Sequence, residues 1–422
     1  MEFLRHACPD PRQRRHALRY GVLSALLASA HIGLAAPIGR NLTEPRALHV
    51  GPFDLIPALV VRQDYNDDIF FSNLNRAASP VTLIGSGLRL ARDYKEHRYS
   101  FDYALRSRTF WNSPRDDFVD HFFRGQTNLV ITRRNRLSMM TDFTLNHDLR
   151  GTALSQGLRA TLIKDPNRYR QVRTAWQYRF GAPTARGNVA LDIGFLGKVY
   201  ENNPLFTRSF SRQDIWMGPS FFYRIAPKTR LLFQFEELIS QYDHPQPIRY
   251  DSDRQKYLVG ATWQQTAKTT GIVKFGYLHQ AFEDPQFKAV GGPTLEVGID
   301  WRPKSYSTVT LNARRDTLPT IGFGTTQIFQ EVELGWQHNW KPRLYSTLGA
   351  SYGTIDYSQS RRKDDLLDVR VGLNYRMNDW IGFEVGYSLL KRTSTESVYD
   401  FTQNIFMLSI STNPSATVTP QF

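Results

Sequence analysis

Residues 369–389, VRVGLNYRMNDWIGFEVGYSL, consist of two alternating segments on either side of a break at residues 377–379. Apolar side chains occupy every second position of both segments, namely Val369, Val371, Leu373 and Tyr375 before the break and Ile381, Phe383, Val385 and Tyr387 after it. Polar, charged and small residues fill the positions between them. Because successive side chains of a strand point to opposite faces, this pattern predicts a β-hairpin with one apolar face and one charged face.

The same alternation recurs along most of the chain. Further examples start at Tyr99, Leu137, Val172, Val189, Leu231, Tyr257, Leu295 and Val332. Between residues 53 and 411, such segments predict about 18 strands, which is within the range of barrels that span an outer membrane.

The connections between these segments alternate in length. Short ones are expected near residues 93–96, 133–135, 182–186, 226–228, 265–269, 303–306, 341–343 and 377–379, and long polar ones at 66–76, 111–116, 148–166, 201–213, 243–253, 283–292, 316–327, 354–364 and 392–401. A Greek-key sandwich does not require this alternation, whereas an up-and-down barrel does. The sequence therefore predicts an all-β protein, a transmembrane antiparallel up-and-down β-barrel. With an even strand count and a long first loop, both termini are expected on the short-turn, periplasmic side.

Aromatic residues cluster beside the short turns. On a barrel they would form a ring at one height, where amphipathic rings favour the membrane interface. The predicted interface aromatics are Phe180, Tyr223, Trp263, Trp301, Trp340, Tyr375 and Trp380.

The alternate strand positions are polar and often charged. Such side chains are costly to bury in a dry interior, but a barrel of this size can enclose a water-filled lumen. The predicted lumen-lining residues are Arg89, Arg98, Asp102, Arg106, Arg124, Arg173, Arg179, Asp192, Lys198, Glu236, Lys256, Glu296, Asp300, Arg314, Glu331, Glu333, Arg370, Asn374 and Glu384. Their net basic charge would concentrate anions, although a mixed lining that merely solvates the wall is an equal alternative.

The amino-terminal segment is typical of a secretory signal. An arginine-rich region at residues 12–19 precedes a short apolar run at residues 20–34, and we expect cleavage after Ala35. The predicted divisions are a signal peptide at residues 1–35, a short periplasmic segment at 36–52, the barrel at 53–411 and a tail at 412–422. Cleavage would remove Cys8, the only cysteine, and with it any disulfide or thiolate chemistry.

No motif in the sequence indicates catalysis. A Gly-rich phosphate loop, a paired-His metal motif and a nucleophile elbow are all absent, so we predict no enzyme, cofactor or metal site. An outer-membrane hydrolase built from dispersed His and Ser residues is the less favoured alternative. Asp64, Asp67 and Asp68 could bind a cation, but turn formation explains them at least as well. The net charge of +14 is spread along all strands of an exported chain, so no nucleic-acid partner is expected.

The longest predicted connection, residues 148–166, contains Arg150, Arg159 and Lys164. Its length and basic residues make it the candidate loop for folding inward and plugging the lumen.

Residues 51–73, GPFDLIPALVVRQDYNDDIFFSN, resemble the opening of a β-barrel porin family found beside exopolysaccharide and capsule biosynthesis genes. That family begins with a strand that contains a proline, here Pro57, and continues into a Tyr-Asp-Asp-Asn-Ile-like stretch, here YNDDIF at residues 65–70. The last predicted strand, TQNIFMLSIS from Thr402, is also similar to the family's closing strand. The resemblance implies export or display of an exopolysaccharide across the outer membrane of a Gram-negative bacterium, without catalysis.

The same resemblance implies several partners: outer-membrane lipid, the outer-membrane assembly machinery, periplasmic export components and an anionic polysaccharide. The assembly machinery commonly recognises a terminal Phe, which here would be Phe422 or else the strand positions Phe406, Leu408 and Ile410. A general or anion-preferring diffusion porin for small solutes is the rival function.

Overall fold

The computed structural model describes residues 46–243, 249–263 and 268–414, and these residues form one antiparallel sheet. The strands are β1 (Leu48–Val50), β2 (Phe53–Asn66), β3 (Ser79–Tyr94), β4 (His97–Phe110), β5 (Phe118–Val130), β6 (Asn135–Asp148), β7 (Asn167–Phe180), β8 (Gly187–Tyr200), β9 (Arg212–Ala226), β10 (Thr229–Tyr242), β11 (Ser252–Trp263), β12 (Thr269–Phe282), β13 (Val290–Lys304), β14 (Ser307–Pro319), β15 (Thr326–Lys341), β16 (Leu344–Tyr357), β17 (Lys363–Arg376), β18 (Ile381–Ser394) and β19 (Phe401–Thr412). The helical segments are α1 (Arg159–Leu162), α2 (Pro204–Thr207) and the 3-10 turns Pro114–Asp116, Ala153–Ser155, Arg208–Phe210 and Ser397–Tyr399. Within these described ranges, no helix has the length and apolar character needed to cross a bilayer.

The sheet closes into a barrel because its first and last long strands pair. β19 lies antiparallel to β2, from Thr412 opposite Leu59 to Ile405 opposite Asn66. Every strand from β2 to β19 therefore pairs with its neighbours in sequence order, and in the described chain these 18 strands form a complete ring. The prediction of an antiparallel up-and-down barrel with about 18 strands is confirmed.

The short strand β1 adds a feature that the sequence pattern did not indicate. It pairs with the start of β2, from Leu48 opposite Leu55 to Val50 opposite Phe53, where β19 does not reach. Asn413, just after β19, accepts the Arg46 backbone N–H at 3.0 Å. Its side-chain amide also donates to the carbonyl of Pro57 at 3.0 Å. One buried side chain thus joins the start of the chain, β2 and the end of β19.

The connections alternate between two rims, as predicted, but some loops are shorter than expected. The predicted long connection at residues 316–327 contracts to residues 320–325, and that at 354–364 contracts to 358–362. The strands are longer here because apolar side chains continue to pack inside the barrel, where Leu318 and Phe329 belong to a buried cluster. We call the rim with the turns after β3, β5 and β7 the short-turn rim, and the opposite one the long-loop rim.

Alternate side chains lie on opposite faces of the wall. The Lys256 Nζ donates to Asp316 Oδ2 at 2.8 Å, which joins β11 to the non-adjacent strand β14 and therefore identifies the concave, inner face. The outer face is apolar: Val371 and Val385, for example, expose 47% and 57% of their surface. The opening hairpin follows this rule, since its charged positions Arg370 and Glu384 lie on the inner face.

The aromatic residues expected at the membrane interface all lie beside the short turns. Those on strands, Phe180, Tyr223, Trp263, Trp301, Trp340 and Tyr375, share the outer face, and Trp380 lies in the turn before β18. Most expose about half of their surface, for example 58% for Trp340 and 47% for Tyr375. These aromatic residues lie at one height, and they form a girdle at one edge of the belt of outward-facing apolar side chains.

We expect arginine substitutions on the two faces of one strand to have opposite consequences. Val371→Arg places a charge on the outer face and should cost about 2–4 kcal/mol in bilayers, because lipid cannot solvate it. Asn374→Arg is the matched control, since its side chain lies on the inner face opposite Glu384 and should cost far less. Urea unfolding in lipid vesicles measures both, and equal losses would contradict this assignment of faces.

Candidate functional site

The connection between β6 and β7, residues 149–166, turns into the barrel, and we call it the inward loop. Its residues 151–156 are buried. Leu154 exposes only 1% of its surface and packs with Leu318, Ile321, Phe329, Ile355 and Tyr357. The strands β15 and β16, which carry Phe329 and Ile355, lie half the ring away from β6 and β7. The inward loop therefore crosses the lumen to the opposite wall, and the prediction that this connection folds inward is confirmed.

A buried arginine also holds the inward loop at that wall by a hydrogen bond. Arg362 Nη2 donates to Gln156 Oε1 at 2.7 Å, and Arg362 Nε donates to Asp364 Oδ1 at 2.9 Å. The guanidinium is fully buried and lies 3.6 Å from the ring centroid of Tyr399 and 4.4 Å from that of Tyr357. A buried charge is stable only when it is paired and hydrogen-bonded. Arg362 therefore depends on Asp364, and Gln156 of the inward loop accepts a further hydrogen bond from it.

Glycine permits the close approaches of the inward loop to its neighbours. Gly157 has a φ of +61°, and a Cβ there would lie 2.5 Å from the Tyr399 ring. Gly151 has a φ of +82°, and a Cβ there would lie 1.8 Å from the carbonyl oxygen of Phe70. Larger residues would be strained at both positions and would push the loop away from its contacts.

The root of the inward loop is fixed to the near wall. Arg150 Nε donates to Asp116 Oδ1 at 2.5 Å, and its guanidinium lies 4.2 Å from the Phe70 ring centroid. Leu149 packs against a second buried cluster, formed by Ile69, Val81 and Phe110. The inward loop is thus held at its start on the near wall and at Leu154 and Gln156 on the opposite wall.

Charged side chains of the inner wall form ion pairs at the height of the inward loop. Asp120 accepts from Arg106 Nε at 3.0 Å and contacts His147 Nδ1 at 2.8 Å. Farther round the ring, Asp316 pairs with both Arg254 and Lys256, at 3.1 and 2.8 Å. These groups are almost fully buried, so their charges are neutralised by one another instead of by water.

All predicted lumen-lining positions lie on the inner face of their strands. Asp102, Arg106, Arg173, Lys198 and Lys256 are buried, with 4–8% of their surface exposed. The others are half-buried or exposed: Arg89, Arg98, Arg124, Arg179, Asp192, Glu236, Glu296, Asp300, Arg314, Glu331, Glu333, Arg370, Asn374 and Glu384. The inward loop covers the paired charges at its own level, so those side chains are more buried than the rest of the predicted lining.

The three aspartates considered for a cation are used within the fold. Asp64 pairs with Arg62 at 2.9 Å, and Asp67 binds Arg76 and accepts the Asn404 N–H at 2.7 Å. Asp68, in the loop after β2, accepts the Ser72 N–H at 2.9 Å, and burial raises its pKa to about 6. Ion pairing accounts for Asp64 and Asp67 and turn formation for Asp68, and the described residues contain no group of three or more potential ligands that could hold a metal.

Sequence reasoning missed the residues that anchor the inward loop. Leu154, Gln156 and Arg362 were not distinguished from ordinary loop residues, because 206 positions separate Gln156 from Arg362. A run of small and apolar residues in a long polar connection, GTALSQG at residues 151–157, was the available signal.

We expect truncation of Leu154 to loosen the inward loop. Leu154→Ala removes a buried anchor, and losses of about 2–5 kcal/mol are usual for such sites, which here would favour local opening. Trypsin should then cut after Arg159 in the folded protein faster than in wild type. The control is Leu205→Ala in the next loop, where the leucine is 94% exposed. Identical cleavage in all three proteins would contradict the anchoring role.

Solved structures with a similar fold belong to outer-membrane barrels. The FrpB iron transporter (F3-3 variant) of Neisseria meningitidis is 11% identical, with a TM-score of 0.46 over 84% of this chain and 63% of that one. OccAB4 of Acinetobacter baumannii is 11% identical, with a TM-score of 0.44 over 89% of this chain and 99% of that one. For the outer membrane protein opdK of Pseudomonas aeruginosa the values are 12%, 0.46, 85% and 98%. The chain thus spans a little under two thirds of the length of the FrpB transporter chain.

The sequence comparison identifies the family. No curated protein matches the chain. Residues 43–413 match the family described as "Putative beta-barrel porin 2", a range that includes every strand of the closed barrel. The chain is therefore an outer-membrane β-barrel that belongs to this porin family.

Proposed function

We propose that the protein is a channel for hydrophilic solutes across the outer membrane, with its passage limited by the inward loop. The observation that carries this proposal is the contact of Leu154 with Phe329 and Ile355 on the opposite wall. A barrel of 18 strands is wide enough for water, so a loop held across it sets the size limit. The half-buried charges of the inner wall would solvate the passing solute.

The proposed orientation places the short-turn rim and both termini in the periplasm, as in barrels with tight periplasmic turns and longer outer loops. The predicted signal peptide at residues 1–35 lies outside the described residues, as do residues 36–45 of the predicted periplasmic segment at 36–52 and residues 415–422 of the predicted tail at 412–422. Outer-membrane lipid would surround the apolar belt. The assembly signal would be Phe422 or the outward-facing Phe406, Leu408 and Ile410 of β19, which expose 58%, 60% and 45% of their surface.

Shortening the inward loop should enlarge the channel. We expect a variant in which residues 152–161 are replaced by a short Gly-Ser linker to show a higher single-channel conductance in planar bilayers and to admit larger neutral polymers. The control is Leu205→Ala in the loop between β8 and β9, where the leucine is 94% exposed and lies outside the cluster around Leu154. Equal conductance and equal size limits for the variant, the control and wild type would overturn the proposed role of the loop.

A second candidate function is export of an anionic exopolysaccharide, for which the inner wall offers suitable groups. The Arg173 guanidinium lies 5.2 Å from the Trp216 ring centroid, and Arg179 lies 5.5 Å from that of Phe222. Both rings are half-buried on the inner face of β9. A flat aromatic ring can stack on a sugar, and the guanidinium beside it can bind the carboxylate of that sugar. Periplasmic export components would deliver the polymer, and the inward loop would have to move aside.

Secreted polysaccharide separates the two functions. If the protein exports a polymer, a deletion strain should lose secreted polysaccharide, and complementation with Arg173→Gln/Trp216→Ala should restore it less well than wild type. The control is complementation with Leu205→Ala, which should restore it fully. Unchanged polysaccharide in the deletion strain, together with small-ion conductance of the purified protein, would reject export and leave the diffusion channel.

A further inference from the structure

Four arginines gather on the inner wall at the short-turn rim, and we call them the arginine quartet: Arg136 on β6, Arg179 on β7, Arg224 on β9 and Arg230 on β10. They form two directly opposed cross-strand pairs, Arg136 with Arg179 and Arg224 with Arg230. Like charges in directly opposed positions are destabilising. Arg230 is repelled by Arg224 and Arg136, and Arg179 is repelled by Arg136 and Arg230.

Two members of the arginine quartet, Arg136 and Arg230, have neutral hydrogen-bond acceptors in place of carboxylates. Arg230 donates to the Asn188 side chain and, at 2.5 Å, to the carbonyl of Pro183. Arg136 donates to the carbonyl of Gly181 at 3.2 Å. No ion pair joins any of the four to an acidic residue in the described parts of the chain. Neutral acceptors orient a guanidinium without cancelling its charge.

One acidic residue lies near the quartet. Asp192 on β8 attracts Arg179, but its Oδ1 also accepts from Gln177 at 2.7 Å. A single carboxylate cannot neutralise four guanidinium groups. By contrast, Arg106 and Arg362 at the level of the inward loop each have a carboxylate within 4 Å, from Asp120 and Asp364 respectively. The arginine quartet therefore lacks the ion pairing that these two arginines have.

The turns that border the quartet add further positive charge. Arg133 and Arg134 lie in the turn between β5 and β6, and Arg186 lies in the turn between β7 and β8; all three are exposed. The quartet side chains themselves are half-buried, so they are reachable from the lumen and from the mouth. Their planar forks suit bidentate binding of phosphate or carboxylate oxygens.

We propose that the arginine quartet binds a multivalent oxyanion, phosphate- or carboxylate-bearing, at the short-turn mouth of the lumen. The inference deepens the proposed channel function. It rests on that function only for the route by which the anion reaches the site. An anion there would lie between the two like-charged pairs and remove their repulsion. The site would select a passing solute by charge before the inward loop selects it by size.

Binding to the folded barrel in uncharged detergent micelles tests the site directly. The probes are tripolyphosphate and trigalacturonate, measured by isothermal titration calorimetry at low salt, where screening is weak. Wild type should bind at least one probe. Arg136→Gln/Arg179→Gln and Arg224→Gln/Arg230→Gln should each weaken binding by at least about tenfold, because hydrogen bonds to charged groups are worth that much in affinity. Binding of tripolyphosphate alone would identify a phosphate ligand, and binding of trigalacturonate alone would identify a uronate.

The matched control removes the same charge elsewhere on β7. Arg168 and Arg170 are exposed on its outer face near the long-loop rim, so Arg168→Gln/Arg170→Gln should bind as wild type does. Because the quartet pairs repel each other, neither quartet variant should unfold at a lower temperature than wild type. Absence of binding to both probes by folded wild type, or equal weakening by the control, would overturn the inference. Binding without ion conductance would overturn the proposed channel and leave the site intact, whereas conductance without binding would do the reverse.

Discussion

The pairing of β19 with β2 is the contact on which the rest of the structure depends. In a bilayer, an unpaired backbone N–H or carbonyl has no water to bind, and each costs several kcal/mol. The ladder from Leu59 opposite Thr412 to Asn66 opposite Ile405 removes the two edges that an open sheet would present to lipid. Asn413 and β1 extend the closure beyond the end of this ladder, to the start of β2. Closure also fixes the faces, since a slip by one residue would turn every apolar side chain of a strand into the lumen.

A closed ring of this size creates an interior that its own wall cannot fill. Near the long-loop rim the chain fills it with the inward loop, whose Leu154 contributes apolar contact and whose Gln156 contributes a hydrogen bond to Arg362. The covered charges then need partners of their own, and Asp120, Asp316 and Asp364 supply them. Toward the short-turn rim, no ion pair with an acidic residue accompanies the arginine quartet in the part of the chain that the structure describes. Water or a ligand must therefore stabilise those charges.

Much of this architecture could be predicted from the sequence, because it depends on local periodicity. The alternation in residues 369–389 determines which of Val371 and Arg370 faces outward, and the spacing of turns determines the topology. Contacts between distant segments could not be predicted in the same way. Nothing in the sequence near Gln156 identifies Arg362 as its partner, and the prediction that the loop folds inward rested on its length and its basic residues. Arg179 was predicted to line the lumen, but Arg136, Arg224 and Arg230 were not, because their significance lies in cross-strand register. The loops between β14 and β15 and between β16 and β17 were predicted to be too long, since polar residues at the ends of these strands were interpreted as loop residues.

The two ends of the lumen differ in a way that follows from their electrostatics. Paired charges beneath the inward loop hold a defined geometry and offer little field to a solute, so this level is suited to discriminating by size. The opposed arginines at the other mouth lower stability by about 0.2–1 kcal/mol per pair in the absence of a compensating anion. Such a cost is tolerated where solvent screens the charges and where binding can reverse it. In the function we propose, charge and size selection therefore depend on different residues, Arg136 and its neighbours for charge and Leu154 for size. Either property can then change without disturbing the closure of the ring.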